Sequence, residues 1–188
     1  MLTRRQFTYG AAVAGTLAAT GAFAEDASVI DARINLALGK MFKQLPASQT
    51  VSHKAKAMLV MPDVVKGGLI VGGAYGEGGL LLNDPNRGYR SGTAEYYSVA
   101  AASIGLQIGV QTSSHVLMFM DDQALSNFRR ADGWEIGADA EVTFPDAGLN
   151  AQVSSTLLEK PIIGYVFGQD GFLAGVSLEG AKYSRIIR

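Results

Sequence analysis

Three stretches interleave glycine with aliphatic residues at strand spacing: KGGLIVGGAYGEGG (66–79), SIGLQIGVQ (103–111) and GFLAGVSLEGAK (171–182). In the second, Ile104, Leu106, Ile108 and Val110 alternate with Gly105, Gln107, Gly109 and Gln111. A period of two over eight residues specifies a half-buried strand through 104–110. Its glycine side carries no bulk, so another backbone can approach it or the sheet can bend there. With 23 glycines in 188 residues, well above the usual ~7 per cent, such a chain is committed to sheet rather than to a helical bundle.

Residues 27–45 read differently. Ile30, Ile34, Leu38, Met41 and Leu45 recur at spacings of three and four, one apolar stripe of a helix that Pro46 stops. Arg33, Lys40 and Lys43 fall on another side, beside Val29 and Leu36. A basic rim next to apolar side chains suits an anionic membrane surface.

A polar linker is expected over 47–52, then a buried strand over 57–61 closed by Pro62. Leu69 to Tyr75 and Gly79 to Asn83 read as a hairpin around a glycine-dense turn, followed by a loop at 83–86. Val116 to Met120 is a further strand, and Asp121 caps a short helix carrying Ala124, Leu125 and Phe128. Trp134 to Phe144 alternates like a strand. Ile162 to Phe167 and Phe172 to Leu178, joined by Gly168–Gly171, read as a hairpin. Tyr183 to Ile187 is the last strand. The expected class is α+β: a mainly antiparallel, glycine-rich curved or barrel-like sheet, with an N-terminal amphipathic helix and one or two further helices.

The first 24 residues read as a cleaved leader outside the fold. Arg4 and Arg5 precede a weakly apolar run, and Ala22-Phe23-Ala24 offers small residues at a cleavage point. Paired arginines before such a core point to twin-arginine export, and so to the periplasm. What remains, 27–188, is expected as one domain. Without the leader the chain carries 14 Lys+Arg against 17 Asp+Glu, a net charge near −3 that argues against a nucleic-acid partner. There is no cysteine, so packing alone must stabilise the fold. No apolar run after residue 24 approaches the roughly 20 residues of a membrane-spanning helix.

Chemistry-bearing motifs are absent. GGAYGEGG lacks the lysine-serine pair of a phosphate loop and the glycine order of a dinucleotide site. GVSLEG lacks the second glycine of a nucleophile elbow, leaving Ser177 as a strand residue. His53 and His115 have no metal-site spacing, and His115 reads as an interior or edge residue. Asp121-Asp122 begins a helix, where negative charge is favoured. Asp139 and Glu141 are expected on the solvent side of a strand. No metal, cofactor or catalytic residue is expected. Lys54, Lys56 and Lys66 bracket the apolar strand around Leu59, placed to hold lipid head groups.

Four ordered blocks carry a family resemblance. AKAMLVMPDVVKGGLIVGGAYGEGGLL (55–81), YYSVAAASIGLQIGVQ (96–111), GWEIGADAEV (133–142) and YVFGQDGFLAGVSLEGAK (165–182) resemble the SYLF domain. The resemblance implies a non-enzymatic phospholipid-binding module, attributed in that family partly to an N-terminal amphipathic helix and basic residues. The matching positions here are the 27–45 helix with Arg33, Lys40, Lys43, Lys54, Lys56 and Lys66. Some members bind actin, a partner not expected for an exported chain. The expected role is lipid binding at a membrane surface of the bacterial envelope. The alternative is an envelope structural or interaction protein that docks a partner on its glycine-rich sheet face.

Overall fold

The computed structural model describes residues 25–68, 71–84, 88–89, 92–104, 109–145, 154–168, 173 and 178–188. The chain runs α1 (Ala27–Gln44), α2 (Ala47–Lys54), β1 (Ala57–Gly68), β2 (Val71–Leu82), β3 (Thr93–Ile104), β4 (Gly109–Phe119), α3 (Asp122–Arg130), β5 (Trp134–Glu135), α4 (Ser155–Leu158), β6 (Ile162–Phe167) and β7 (Lys182–Ile186). The strands form one sheet, in the order β5-β7-β3-β2-β1-β4-β6, with every neighbouring pair antiparallel. The sheet curls into a half-barrel, the class expected. Among the described residues α2, α3 and α4 follow α1.

The continuous apolar runs of β1 and β6 have a simple cause: both sheet faces are covered there. Ala57, Leu59 and Met61 point into one core with Leu117, Phe119, Phe128, Trp134 and Tyr183. Met58 and Val60 point into a second core with Ile30, Ile34, Leu38, Met41, Val116 and Phe167. The expected stripe of α1 is what fills this second core, each buried side chain contributing roughly 1.5–3 kcal/mol of transfer free energy. On the opposite face α3 inserts Phe128 among Tyr97, Phe119 and Trp134, with ring centroids 4.8–5.4 Å apart. Asp121 caps α3 as expected, its Oδ1 accepting from the Ala124 N–H at 2.6 Å.

Four local expectations change. The linker at 47–52 is helix α2: Val51 is buried, and Ser48 and Ser52 turn their hydroxyls back onto the carbonyls of Leu45 and Gln49 at 2.6 and 2.8 Å. Local hydroxyl bonding of this kind hides a helix behind polar composition. Pro62 does not end β1. The register of β1 against β2 and β4 shifts around residues 61–64, and a bulge accommodates a residue without an N–H.

The glycine-dense segment is no turn but the middle of β2, opposite that bulge. A Cβ at Gly78 would sit on the Val60 carbonyl oxygen and 2.8 and 2.9 Å from Met61 Sδ and Cα. A Cβ at Gly76 would lie 3.0 Å from Val64. These glycines are required by close backbone approach rather than by chain reversal.

The alternation at 134–144 yields only the two-residue β5. Gly137 has φ +92°, and the Asp139 carboxylate accepts from the Glu135 N–H at 2.7 Å, which folds a turn instead. Asp139 therefore serves the turn and does not line a strand. Residues 142–144 then run beside β6, with Gly164 leaving room for Val142 and Phe144.

Finally, Ile104 closes β3 and Gly109 opens β4, strands that β2 and β1 separate in the sheet. The strand expected through 104–110 has only its ends, Ile104 and residues 109–110, among the described residues. Residues 105–108, the expected leader 1–24, Ser177 and most of 172–178 lie outside the described residues. Strands β6 and β7 stand where expected.

Candidate functional site

The exposed side of α1 follows from its buried one. Val29, Arg33, Leu36, Lys40 and Lys43 succeed one another at spacings of four and three, a ridge facing away from the second core. Leu36 is 75% exposed. Arg33 is neutralised: its guanidinium lies 2.9 Å from Glu25 and 3.8 Å from Asp63. Asp31, on the same half of the helix, accepts from Thr93 and Tyr96 at 2.5 and 3.1 Å. Lys40 and Lys43 have no ion pair among the described residues, so the C-terminal half of the ridge is apolar and cationic.

The other three lysines do not join this ridge as one patch. Lys54 ends α2 and is exposed. Lys56 lies 3.5 Å from Asp122 of α3, on the opposite side of the sheet. Lys66 is exposed near the far end of β1. Ten residues of extended chain at ~3.3 Å each separate Lys56 from Lys66 by about 30 Å.

Beyond the reach of α1 no described element covers the same sheet face. Val65 pairs with Tyr75 and Thr112, and Gly67 pairs with Gly73 and Val110. Ala100 and Ala102 continue the rows opposite Tyr75 and Gly73. Cross-strand partners share a face, so Val65, Tyr75 and Val110 stand together over small residues. Val110 is 76% exposed. The Tyr75 hydroxyl donates to Glu77 at 2.7 Å, and Glu77 also pairs with Arg188.

A third feature lies on the α3 side. Glu95 of β3 is only 6% exposed. Its carboxylate accepts from Arg129 Nε at 2.9 Å, from Arg129 Nη2 at shorter range, and from the Tyr97 hydroxyl at 2.7 Å. Arg185 Nη2 stands 3.9 Å away. Burial pushes the Glu95 carboxyl up, but the hydrogen bonds from Arg129 and Tyr97 and the charges of Arg129 and Arg185 outweigh it and hold it below its ordinary value. The same bond raises the Arg129 guanidinium. Beside this group lies a cleft of about 390 Å³ lined by Glu95, Asp122, Leu125, Ser126, Arg129, Arg130 and Arg185. Sequence reasoning missed it, because Glu95, Arg129 and Arg185 lie 34 and 56 positions apart in order and share no motif.

The histidines and carboxylates form no metal-ligand cluster among the described residues. His115 is interior, as expected, with Nε2 3.0 Å from Ser113 Oγ. Its Nδ1 is buried without a hydrogen-bond partner, and burial pulls its pKa down to about 4. No described helix is long and apolar enough to cross a membrane.

The described residues form a curled antiparallel sheet with helices on both faces and a charged cleft beside α3. Residues 100–185 match the family model Ysc84, described as Las17-binding protein actin regulator. This match, over fewer than half of the residues, agrees with the SYLF family that the glycine blocks resemble, a family of binding and regulatory domains. Over 139 residues it is 27% identical to the SH3 domain-containing YSC84-like protein 1 of Rattus norvegicus and to that of Homo sapiens, covering 74% of this chain and 39% of each relative. The Xenopus laevis protein of that name is 25% identical over 131 residues, covering 70% of this chain and 38% of its own. The chain thus spans about two fifths of the length of the curated relatives it matches.

Proposed function

We propose that this chain is a non-enzymatic module that binds anionic phospholipid at a membrane surface of the bacterial envelope, through the outer ridge of α1. The observation that carries the reading is the C-terminal half of that ridge: exposed Leu36 followed by Lys40 and Lys43, which have no ion pair among the described residues. An apolar side chain enters the acyl boundary while ammonium groups meet phosphate. The envelope location rests on Arg4 and Arg5 ahead of a weak apolar run. Replacing both arginines by lysine should strand the protein in the cytoplasmic fraction, and unchanged export would refute the twin-arginine route.

Vesicle co-sedimentation tests the lipid reading. Each basic group near an anionic surface is worth about 1 kcal/mol, so Lys40→Gln with Lys43→Gln should weaken binding to phosphatidylglycerol vesicles roughly 30-fold at low salt. Binding to phosphatidylcholine vesicles should change little, and the difference should shrink at high salt. Arg33→Gln should cost less, because Glu25 and Asp63 already neutralise it. Equal binding by the double variant and the parent would refute the helix reading.

The open sheet face supports a second reading, a protein partner docked over Val65, Tyr75 and Val110. A photo-crosslinker at position 75 should give a discrete protein adduct that Val110→Asp abolishes. No adduct in whole cells would refute it.

A further inference from the structure

We propose that the cleft between α3 and β7 is a binding site for a phosphate group, held by Arg130 and Arg185. Three guanidinium groups and two carboxylates line it. Both carboxylates already have a cation of their own. Glu95 is gripped by Arg129 through Nε and Nη2, and Asp122 faces Lys56 at 3.5 Å. Arg185 forms no hydrogen bond with Glu95, standing 3.9 Å from it, and its side chain is 62% exposed. Arg130 donates to the Ser126 carbonyl at 3.2 Å and to Asn127 Oδ1 at 3.3 Å, neutral partners that leave its charge uncompensated. Arg130, with no ion pair among the described residues, and Arg185, with only a 3.9 Å approach to a Glu95 that Arg129 already grips, therefore line one concavity.

The arrangement is built rather than incidental. Arg185 is fixed by β7, where it pairs with Tyr97 of β3, and Arg130 by the last turn of α3. The Glu95–Tyr97–Arg129 network beneath them locks the cleft floor, and Leu125 and Ser126 form the α3 wall. The volume, about 390 Å³, falls within the ~300–1,000 Å³ of small-ligand sites. Planar forked donors match the oxygens of phosphate better than ammonium groups do. The site lies on the opposite side of the sheet from α1, so it stands apart from the membrane reading above. The phosphate could belong to a soluble phosphomonoester or to a lipid headgroup, and these share the chemistry.

The test uses the full chain and two probes, glycerol 3-phosphate in solution and vesicles containing phosphatidic acid. Calorimetric titration with glycerol 3-phosphate should show saturable binding that Arg185→Gln weakens roughly tenfold. Arg130→Gln with Arg185→Gln should abolish it, while Lys40→Gln with Lys43→Gln should leave it unchanged. Vesicle binding that the arginine pair supports, without response to the soluble probe, assigns the phosphate to a lipid headgroup and still supports the site. If the parent and the double arginine variant respond alike to both probes, the proposal is overturned. Arg185→Lys keeps the charge but loses the fork. It should bind more weakly than the parent even if the double variant folds poorly, and full retention of affinity would overturn the forked-donor assignment.

Discussion

One substitution made at two glycines should move stability in opposite directions. Gly78 lies in β2 against the β1 bulge, where an added methyl would meet the Val60 carbonyl and the Met61 backbone. Those obstacles are main chain, so relief requires the two strands to part. Overpacking of this kind costs about 1–3 kcal/mol, of which the smaller unfolded-state entropy of alanine returns ~0.4–1. Gly78→Ala should therefore lose about 1–2 kcal/mol. For a chain of this size each kcal/mol moves the melting temperature by about 2–4 °C, so a fall of about 2–8 °C is expected. Gly39 sits on the exposed side of α1 with nothing within 4 Å of its added Cβ. There alanine gains helix propensity, about 0.5–1 kcal/mol, and Tm should rise by about 1–4 °C. Thermal unfolding followed by circular dichroism reads both. A Gly78→Ala protein as stable as the parent would refute the claim that close approach, and not turn geometry, demands the glycines of β2.

Two further perturbations concern ionisable groups. His115 has a folded pKa of about 4 against an ordinary 6.5, so between those values the unfolded chain takes up the proton first. Stability should fall as pH drops through that window, by up to about 1.4 kcal/mol per pH unit. His115→Leu should flatten the dependence in urea titrations, and an unaltered slope would exclude this histidine as its source. Glu95 is the opposite case. Its folded pKa lies below 4.5, so its contribution is present above that pH and is lost as pH falls through the folded value. Glu95→Gln should cost about 1.5–3 kcal/mol at pH 7, the scale of a charged hydrogen bond, with the gap to the parent closing in acid. A gap that does not narrow at all as the pH falls would show that the loss is one of packing.

The sequence alone settled what period and capping settle. Spacings of three and four along Ile30 to Leu45 gave α1 and its buried side, and Asp121 gave the start of α3, because these are local relations between neighbouring side chains. The apolar runs at 57–61 and 162–167 gave strands covered on both faces, and the ordered glycine blocks gave a family resemblance with which the match over 100–185 agrees. The glycine cluster at 76–79 was legible as sheet but misread as a turn. Glycine serves both a reversal and a close approach, and only the bulge at Pro62 across the ladder distinguishes them. The six basic residues were legible as charges but not as a surface. Tertiary packing ties Arg33 to Asp63 and Lys56 to Asp122, and leaves Lys40 and Lys43 without an ion pair among the described residues, beside Leu36. The arginine cleft was not legible at all. Its members come from β3, α3 and β7, and an electrostatic site assembled across a sheet leaves no period in the chain, because what brings Glu95, Arg129 and Arg185 together is strand pairing and the docking of Phe128, not their spacing.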